Sequence, residues 1–335
     1  MNLLSIIIVN YRSSRQVLDC LKTLYQETRK TNFEVIIVDN DSQDDSRGIL
    51  ENAFPRIRWI QMNNNAGFAR ANNEGIRKAA GETVLLLNPD TLIEDEAIDN
   101  CYELFLPAEY VACSVQLLNE DRTPQITGNY FMMGGLNWLL PLPYLGKFIF
   151  GLAKLFGVKS PNIPGATQLV EVDWVNGAFL MVRKSALVKS GLMDEDFFLY
   201  AEEAEWCYRL RKIGKICLYG QLHIVHLQGE TANEVFDSAG KGYYNLYNQK
   251  GLQIMLSNFV RIRKQSGIFW FLVNLLCYTM EIPIFLVGVI MSRLLFGQKA
   301  KYSIDEFIQF AKNLGTVWGL SITIMKNRPY FYKVL

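Results

Sequence analysis

Polar residues that can bind ligands stand directly behind short apolar runs in this chain. Asn10-Tyr11 follows "SIIIV", Asp39-Asn40-Asp41-Ser42 follows "VIIV", and Asn88-Pro89-Asp90 follows "VLLL". In a parallel sheet such strand ends share one edge, which is where open α/β folds place their ligands. Asp39, ending the second run, can accept hydrogen bonds from a ribose or a base. No G-x-G-x-x-G follows the first run, which argues against a dehydrogenase-type cofactor. The plainer alternative is that Asp39 and Ser42 merely cap the next helix. Asp90 alone is a weak metal signal. Mg²⁺ is usually held by one or two carboxylates plus substrate phosphates, so Asp90 gains weight beside a diphosphate. Glu94, Asp95 and Glu96 suit the positive end of a following helix.

Two further stretches carry polar groups in unusual density. In "NNNAGFARANNEG" (63–75), Gly67 and Ala69 allow close approach to a flat ligand, and Asn65, Asn72 and Asn73 offer amides to a nucleobase edge. A plain turn and helix cap is the simpler alternative, although three asparagines at a helix start are poor in helix propensity. In "DEDFFLYAEEAEWCYRLRKIG" (194–214), Glu202 and Glu203 open a helix beside Phe197, Phe198 and Tyr200. Like charge and burial raise the pKa of such a pair while the helix N-terminus lowers it, so a general base and a solvated first turn both fit. The chain has two histidines, His223 and His226. Three apart on a strand-like run, they point to opposite faces and cannot form a paired metal site.

The elements that must position these groups alternate between strand and helix. "LLSIIIV" (3–9), "FEVIIVD" (33–39) and "ETVLLLN" (82–88) read as buried strands, and "SSRQVLDCLKTLYQE" (13–27) and "AGFARANNEGIRKAAG" (66–81) as helices. Continuous apolar strands between helices predict an α/β fold: a mostly parallel central sheet with helices on both faces. "QLVEVDWVNGAFLMVRK" (168–184) adds two strand-like runs around Asn176-Gly177. The opening "MNLLSIIIVNY" lacks a basic lead and a cleavage site and reads as a first strand. The 335 residues carry 34 basic and 33 acidic side chains, a balance that excludes nucleic acid as the main partner. Six scattered cysteines without a C-x-x-C pair read as reduced core thiols.

Taken in order, "SIIIVNY", "VIIVDNDSQD", "NAGFARANNEG", "LLLNPD", "VDWVNGAFLMVRK", "FFLYAEEAEWCYRLRKIG" and "HIVHLQGET" resemble the inverting family 2 glycosyltransferases over residues 3–265. Bacterial rhamnosyltransferase-like members are nearest in pattern. The resemblance implies a glycosyltransferase-A (nucleotide-diphospho-sugar transferase) fold, a UDP- or dTDP-type sugar donor and Mg²⁺ or Mn²⁺. It implies that Asn10, Asp39, Asn65, Gly67 and Asn88 lie at the donor nucleotide. Asn88-Pro89-Asp90 takes the place of the family's D-x-D motif, so Asp90 and His226 attend the metal. Trp174, Asn176 and Gly177 line the sugar and acceptor side. Glu203 stands where the family has the aspartate of its E-D pair, the proposed base. Being one methylene longer, it leaves Glu202 as the alternative. The metal motif keeps a single acid, which makes cation binding dependent on donor phosphate.

The implied reaction transfers a sugar, rhamnose by resemblance, to a hydroxyl of a lipid-linked or saccharide acceptor in polysaccharide synthesis. A non-catalytic nucleotide-sugar-binding scaffold is the alternative. A sugar nucleotidyltransferase ranks lower, because "NYRSSRQ" behind the first strand has no glycine. The expected organisation is a catalytic domain, 1–250, carrying an apolar insertion at 131–165, and a hydrophobic helical extension, 251–335. Residues 267–292 are long enough to span a bilayer. Glu281 and Pro283 interrupt them, and Arg261, Arg263, Lys264, Arg293, Lys299 and Lys301 flank both ends. Basic flanks on both sides favour a re-entrant or in-plane helical pair on the cytoplasmic face of the membrane. Packing on the catalytic domain or on a second copy is the alternative.

Overall fold

In the computed structural model, residues 2–227, 245–297 and 300–334 are described. They form two compact units. One holds residues 2–130, 162–198 and 202–227, the other 131–161, 199–201, 245–297 and 300–334.

The first unit is built on the strand–helix alternation expected from the apolar runs. In chain order come β1 (Leu4–Asn10), α1 (Ser14–Glu27), β2 (Phe33–Asp39), α2 (Ser46–Ala53), β3 (Arg58–Gln61), α3 (Gly67–Lys78), β4 (Thr83–Leu87), β5 (Thr91–Leu92), α4 (Ala97–Phe105) and β6 (Ala112–Leu118). β7 (Gly128–Asn129) precedes α5 (Leu145–Leu155), a helix of the second unit. β8 (Leu169–Val172), β9 (Trp174–Val175), β10 (Phe179–Arg183), α6 (Lys184–Ser190), α7 (Glu202–Arg211) and β11 (Ile216–His226) return to the first. The nine-stranded sheet runs β3-β2-β1-β4-β10-β6-β11-β5, with β8 also paired to β11. β3, β2, β1 and β4 pair in parallel, as do β6 and β11, while β10, β5 and β8 run against their neighbours. β7 and β9 form a separate two-stranded ladder.

The continuous apolar runs are explained by a sheet covered on both faces. Ile6, Ile8, Val35, Ile37, Leu85 and Leu87 point into a core with residues of α1, α2 and α4. Their alternates Ile7, Val9, Ile36, Val38, Val84 and Leu86 point into a second core with residues of α3, α6 and α7. A period of two sends successive side chains to opposite faces, so a doubly covered strand is apolar at nearly every position.

The second unit comprises a glycine-containing turn at Met133–Leu139, α5, a long helix α8 (Gln249–Phe296) and α9 (Ile304–Lys326). The break in α8 falls at Gly267 (φ 86°, ψ −178°), not at Glu281 and Pro283, through which the helix continues. Glu281 is fully buried. Its two carboxylate oxygens accept the backbone N–H groups of Tyr144 and Leu145, each at 2.9 Å, at the start of α5. The acid is thus a helix-capping partner and not an interruption. From the same face of α8, Asn274 Nδ2 donates to Gly134 O (2.8 Å) and Tyr278 Oη to Trp138 O (2.8 Å). These bonds assign residues 131–161 of the expected insertion to the helical unit, while 162–165 belong to the first.

Candidate active site

The ends of β1 and β2 build one buried polar cluster. Asn10 is wholly buried and Asp39 is 2% exposed. Asp39 Oδ1 accepts from Asn10 Nδ2 (2.7 Å) and Ser42 Oγ (2.5 Å), and Oδ2 from Ser42 N (3.0 Å) and Gln61 Nε2 (2.7 Å). Four donors compensate the buried carboxylate. Asp39 and Ser42 do not cap the next helix, whose N-cap is Asp45. Neighbouring Asn40 turns the other way: its Nδ2 donates to Asn65 Oδ1 (2.9 Å) and its Oδ1 accepts from Ala66 N (2.9 Å).

The 65–68 loop is held from both sides. Asn65 Oδ1 also accepts from Gly67 N (3.2 Å), and Phe68 N donates to Phe198 O (2.9 Å). Gly67 has φ +83°, and a Cβ there would stand 2.3 Å from Phe198 O. Only glycine fits a left-handed residue pressed against a backbone carbonyl. Asn72 and Asn73 depart from the expectation. Asn72 Nδ2 bonds Phe68 O (3.0 Å), and Asn73 pairs with Met193 through both its nitrogen (2.9 Å) and its oxygen (3.0 Å). Asn73 thus fastens α3 to the 193–198 loop, while Asn72 spends its Nδ2 on the carbonyl one turn back in its own helix.

The third strand end meets the last strand. β5 pairs with β11, setting Thr91 opposite His226. Asp90 and His226 are 6% and 7% exposed, with Asp90 Oδ1 3.4 Å from His226 Nε2. Asn88 Nδ2 stands 3.4 Å from the same Nε2, and Asp90 O accepts from Leu227 N (2.9 Å). On the other ring nitrogen, Nδ1 lies 2.9 Å from Gln125 Oε1. Beneath them the Cys20 thiol is pushed up to about 12, first by burial, and stays neutral at the floor of the cluster. His223 faces away, 3.4 Å from Asp95. The remaining acids behind Asp90 serve elsewhere: Glu94 pairs with Arg122, Glu96 with Lys30, and Asp99 accepts from the N–H groups of Arg29, Lys30 and Thr31. Residues 228–231, the end of the "HLQGET" stretch, and Lys299 lie outside the described residues.

Glu202 and Glu203 open α7 with 3% and 9% exposure. Burial, reinforced by the charge of Glu203, lifts the Glu202 carboxyl well above the usual range. Glu202 Oε2 is enclosed without a hydrogen-bond partner, as expected of a carboxyl that keeps its proton. Tyr200 (φ 72°) and Ala201 (φ 68°) precede the pair in left-handed conformations that non-glycine residues seldom adopt.

Gly177 joins the acids to the sheet edge. A Cβ on Gly177 would lie 3.6 Å from Glu203 Cβ and 3.8 Å from the Phe68 ring, within ordinary contact. Asn176 Oδ1 accepts from Ala178 N (2.9 Å), and Asn88 N donates to Ala178 O (3.0 Å). Trp174 sits half-buried on β9, against which α7 packs. Hydrogen bonds and chain neighbours therefore link Asn10 and Asp39 through Asn40 and Asn65 to the Phe68–Phe198 bond, and Ala178, Asn88, His226 and Asp90 form a second linked set. Gly177, next to Ala178, leaves a side-chain-sized space before Glu203 and Phe68. A cleft of about 460 Å³ around Glu94 and Arg122 contains none of these residues. Gln61 and Gln125 do not stand out in the sequence. Gln61 ends β3 and the strand-end rule reaches it, whereas Gln125 sits in an irregular stretch with no periodic signal.

Among the described residues, no three His, Cys, Asp or Glu side chains gather to hold a metal ion. Asp90 and His226 make a two-donor set, which suits a cation whose other ligands are water and substrate phosphate.

Residues 5–165 match the profile described as glycosyl transferase family 2. These residues form a family 2 glycosyltransferase domain. The chain is 28% identical to a low-salt glycan biosynthesis hexosyltransferase, Agl10, of Haloferax volcanii, over 89% of this chain and 87% of that protein. It is 24% identical to the dTDP-rhamnosyl transferase RfbF of Shigella flexneri, over 72% of this chain and 77% of that protein. Residues 1–349 of Staphylococcus aureus TarS, solved in complex with UDP-GlcNAc, superpose with a TM-score of 0.51 at 17% identity, over 94% of this chain and 80% of that one. That likeness shows the glycosyltransferase-A architecture.

Proposed function

We propose that this glycosyltransferase moves a sugar from a UDP- or dTDP-type donor to a hydroxyl of a lipid-linked saccharide, inverting the anomeric carbon. Rhamnose is the sugar we favour, on the similarity to RfbF and the motif pattern, and glycan biosynthesis is the setting named for Agl10. The observation that carries the reading is that the Asp39 cluster and the Asp90–His226 pair both stand at the ends of sheet strands, with Glu203 close to Gly177 beside Ala178.

In this reading Asn10, Asp39, Asn65 and Gly67 receive the nucleoside, and Asn88 stands beside the diphosphate. Asp90 and His226 hold Mg²⁺ or Mn²⁺ together with donor phosphate. When bound, the cation supplies a Lewis acid that offsets charge on the departing nucleoside diphosphate. Trp174, Asn176 and Gly177 line the sugar and acceptor side. Glu203 removes the acceptor proton, a role worth roughly 10²–10⁴-fold in rate. Glu202 keeps its own proton, so Glu203 can ionise without a second negative charge beside it. The acceptor oxygen attacks the anomeric carbon as its bond to the diphosphate breaks on the opposite face. No covalent sugar–enzyme species is needed.

The helical unit supports a place at the cytoplasmic face of a membrane. α8 is long and apolar enough to cross a bilayer by length and composition. Leu155, Phe156 and Leu294 are each 77% exposed, and Phe269 is 66% exposed. Lys147 and Lys301 line one cleft with Phe296, and basic residues beside exposed apolar side chains suit a surface lying against anionic lipid. The reading is tested with a panel of nucleotide sugars, each supplied with Mg²⁺ or Mn²⁺ and scored by release of nucleoside diphosphate. Nucleotide binding without turnover across the panel would identify a scaffold instead.

A further inference from the structure

Hydrogen-bond polarity in the 119–125 turn fixes which nitrogen of His226 carries the proton. Asp121, fully exposed, is held below the usual carboxylate range by bonds from Thr123, and so only accepts. Thr123 Oγ donates its proton to Asp121 Oδ1 (2.5 Å), which leaves Thr123 Oγ to accept from Asn119 Nδ2 (2.9 Å). The Asn119 amide is thereby oriented with Oδ1 towards Gln125 Nε2 (2.9 Å). Gln125 Nε2 also donates to the backbone carbonyl of His226 (2.6 Å), which cannot donate in return. Both acceptors set the Gln125 amide the same way, with Oε1 facing His226 Nδ1 at 2.9 Å. Gln125 is itself 5% exposed.

We propose that Gln125, oriented by Asn119, Thr123 and Asp121, is a positioning residue that locks His226 as the Nδ1–H tautomer and presents the Nε2 lone pair beside Asp90. Its functional meaning rests on the metal role proposed above for His226. The ring partner of a ligating histidine sets tautomer and orientation, and its loss typically lowers metal affinity 10–100-fold. A glutamine does this without adding a charge. The site's net charge is then set by Asp90 and the donor, which fits a cation that arrives with its nucleotide.

The chain has only two histidines, so a His223→Gln background leaves His226 as the single imidazole signal. Long-range proton–nitrogen NMR on protein labelled with ¹⁵N-histidine, at about pH 8 and without nucleotide or metal, reads the tautomer directly. An ordinary imidazole is neutral there. The expected spectrum shows a protonated Nδ1 in the background protein. Gln125→Met, of similar volume, should give a mixed or Nε2–H spectrum. Asn119→Ala, in the exposed turn where folding is not at stake, should shift it part of the way. Nε2–H in the background protein, or unchanged Nδ1–H in Gln125→Met, overturns the proposal. MnCl₂ titration with saturating UDP or dTDP, read by broadening of the His226 signals, should need roughly 10–100-fold more Mn²⁺ in Gln125→Met. An equal midpoint in the two proteins overturns the positioning role. Absence of broadening in the background protein with either nucleotide defeats the metal reading, while the tautomer spectra still decide what Gln125 does.

Discussion

Replacing Gly67 by alanine tests whether the loop at the nucleotide side and the acids at the acceptor side share one geometry. An alanine Cβ would stand 2.3 Å from Phe198 O, 2.8 Å from a Phe198 ring carbon and 2.9 Å from Phe198 Cα. A comfortable carbon–oxygen contact is about 1 Å longer than the first of these, so the two loops must part by roughly that amount. The carbonyl struck is the one that accepts from Phe68 N, so that bond goes as well. A left-handed alanine at φ +83° costs about 1–2 kcal/mol, and the lost bond about 0.5–1.5 kcal/mol. The sum lowers Tm by several degrees. The larger effect falls on turnover, because Phe198 leads into Glu202 and Glu203, and a displacement of about 1 Å can cost on the order of 10²-fold. Gly81→Ala is the control. Its Cβ would meet Leu3 O at 2.5 Å at the opposite edge of the sheet, so it should lose stability and keep turnover per folded molecule. Thermal unfolding and nucleotide release measured on both variants separate the effects. Equal turnover in the two would mean that the 65–68 loop does not set the position of the acids.

Glu203→Gln should cut transfer by about 10²–10⁴-fold with unfolding unchanged, and near-normal turnover would remove Glu203 as the base. Glu202→Gln should remain active and gain stability over wild type as pH rises. A carboxyl with a raised folded pKa contributes fully below its unfolded value and loses that contribution as pH climbs towards the folded value. The difference between the two proteins should therefore grow upwards from about pH 4.3, at up to about 1.4 kcal/mol per pH unit. A gap that is flat with pH across that window would refute the raised Glu202. Asp90→Ala should fold normally, as judged by Tm, and lose stimulation by Mn²⁺, whereas retained stimulation would place the cation elsewhere. Changing Leu294, Leu295 and Phe296 together to glutamate should release the protein from sedimenting anionic vesicles, since each apolar side chain removed from water contributes about 1.5–3 kcal/mol. Undiminished sedimentation would exclude this surface as the contact.

The sheet was legible because its signal is local. A strand covered on both faces is apolar at nearly every position, so "SIIIV", "VIIV" and "VLLL" announce themselves, and the polar residue ending each is forced to the same edge. Asp39 and Asp90 could be singled out on those grounds, and the two glutamates as paired acids at a helix start. The sequence did not separate a ligand-facing amide from a structural one. Asn65 and Asn73 look alike in the chain, yet the first stays at the loop and the second is sealed against Met193, because burial depends on what packs above the helix. Nor did it divide Glu202 from Glu203, since the raised carboxyl results from burial, which the local sequence does not reveal. Glu281 misled in the same way: a charge in an apolar run reads as a break until its partners, the amides of Tyr144 and Leu145, are brought to it across more than a hundred residues. What the chain determined alone was the periodicity of its elements and the side of the sheet on which chemistry could occur. What the tertiary structure decided was protonation and orientation, which depend on dielectric and hydrogen-bond partners that no local pattern encodes.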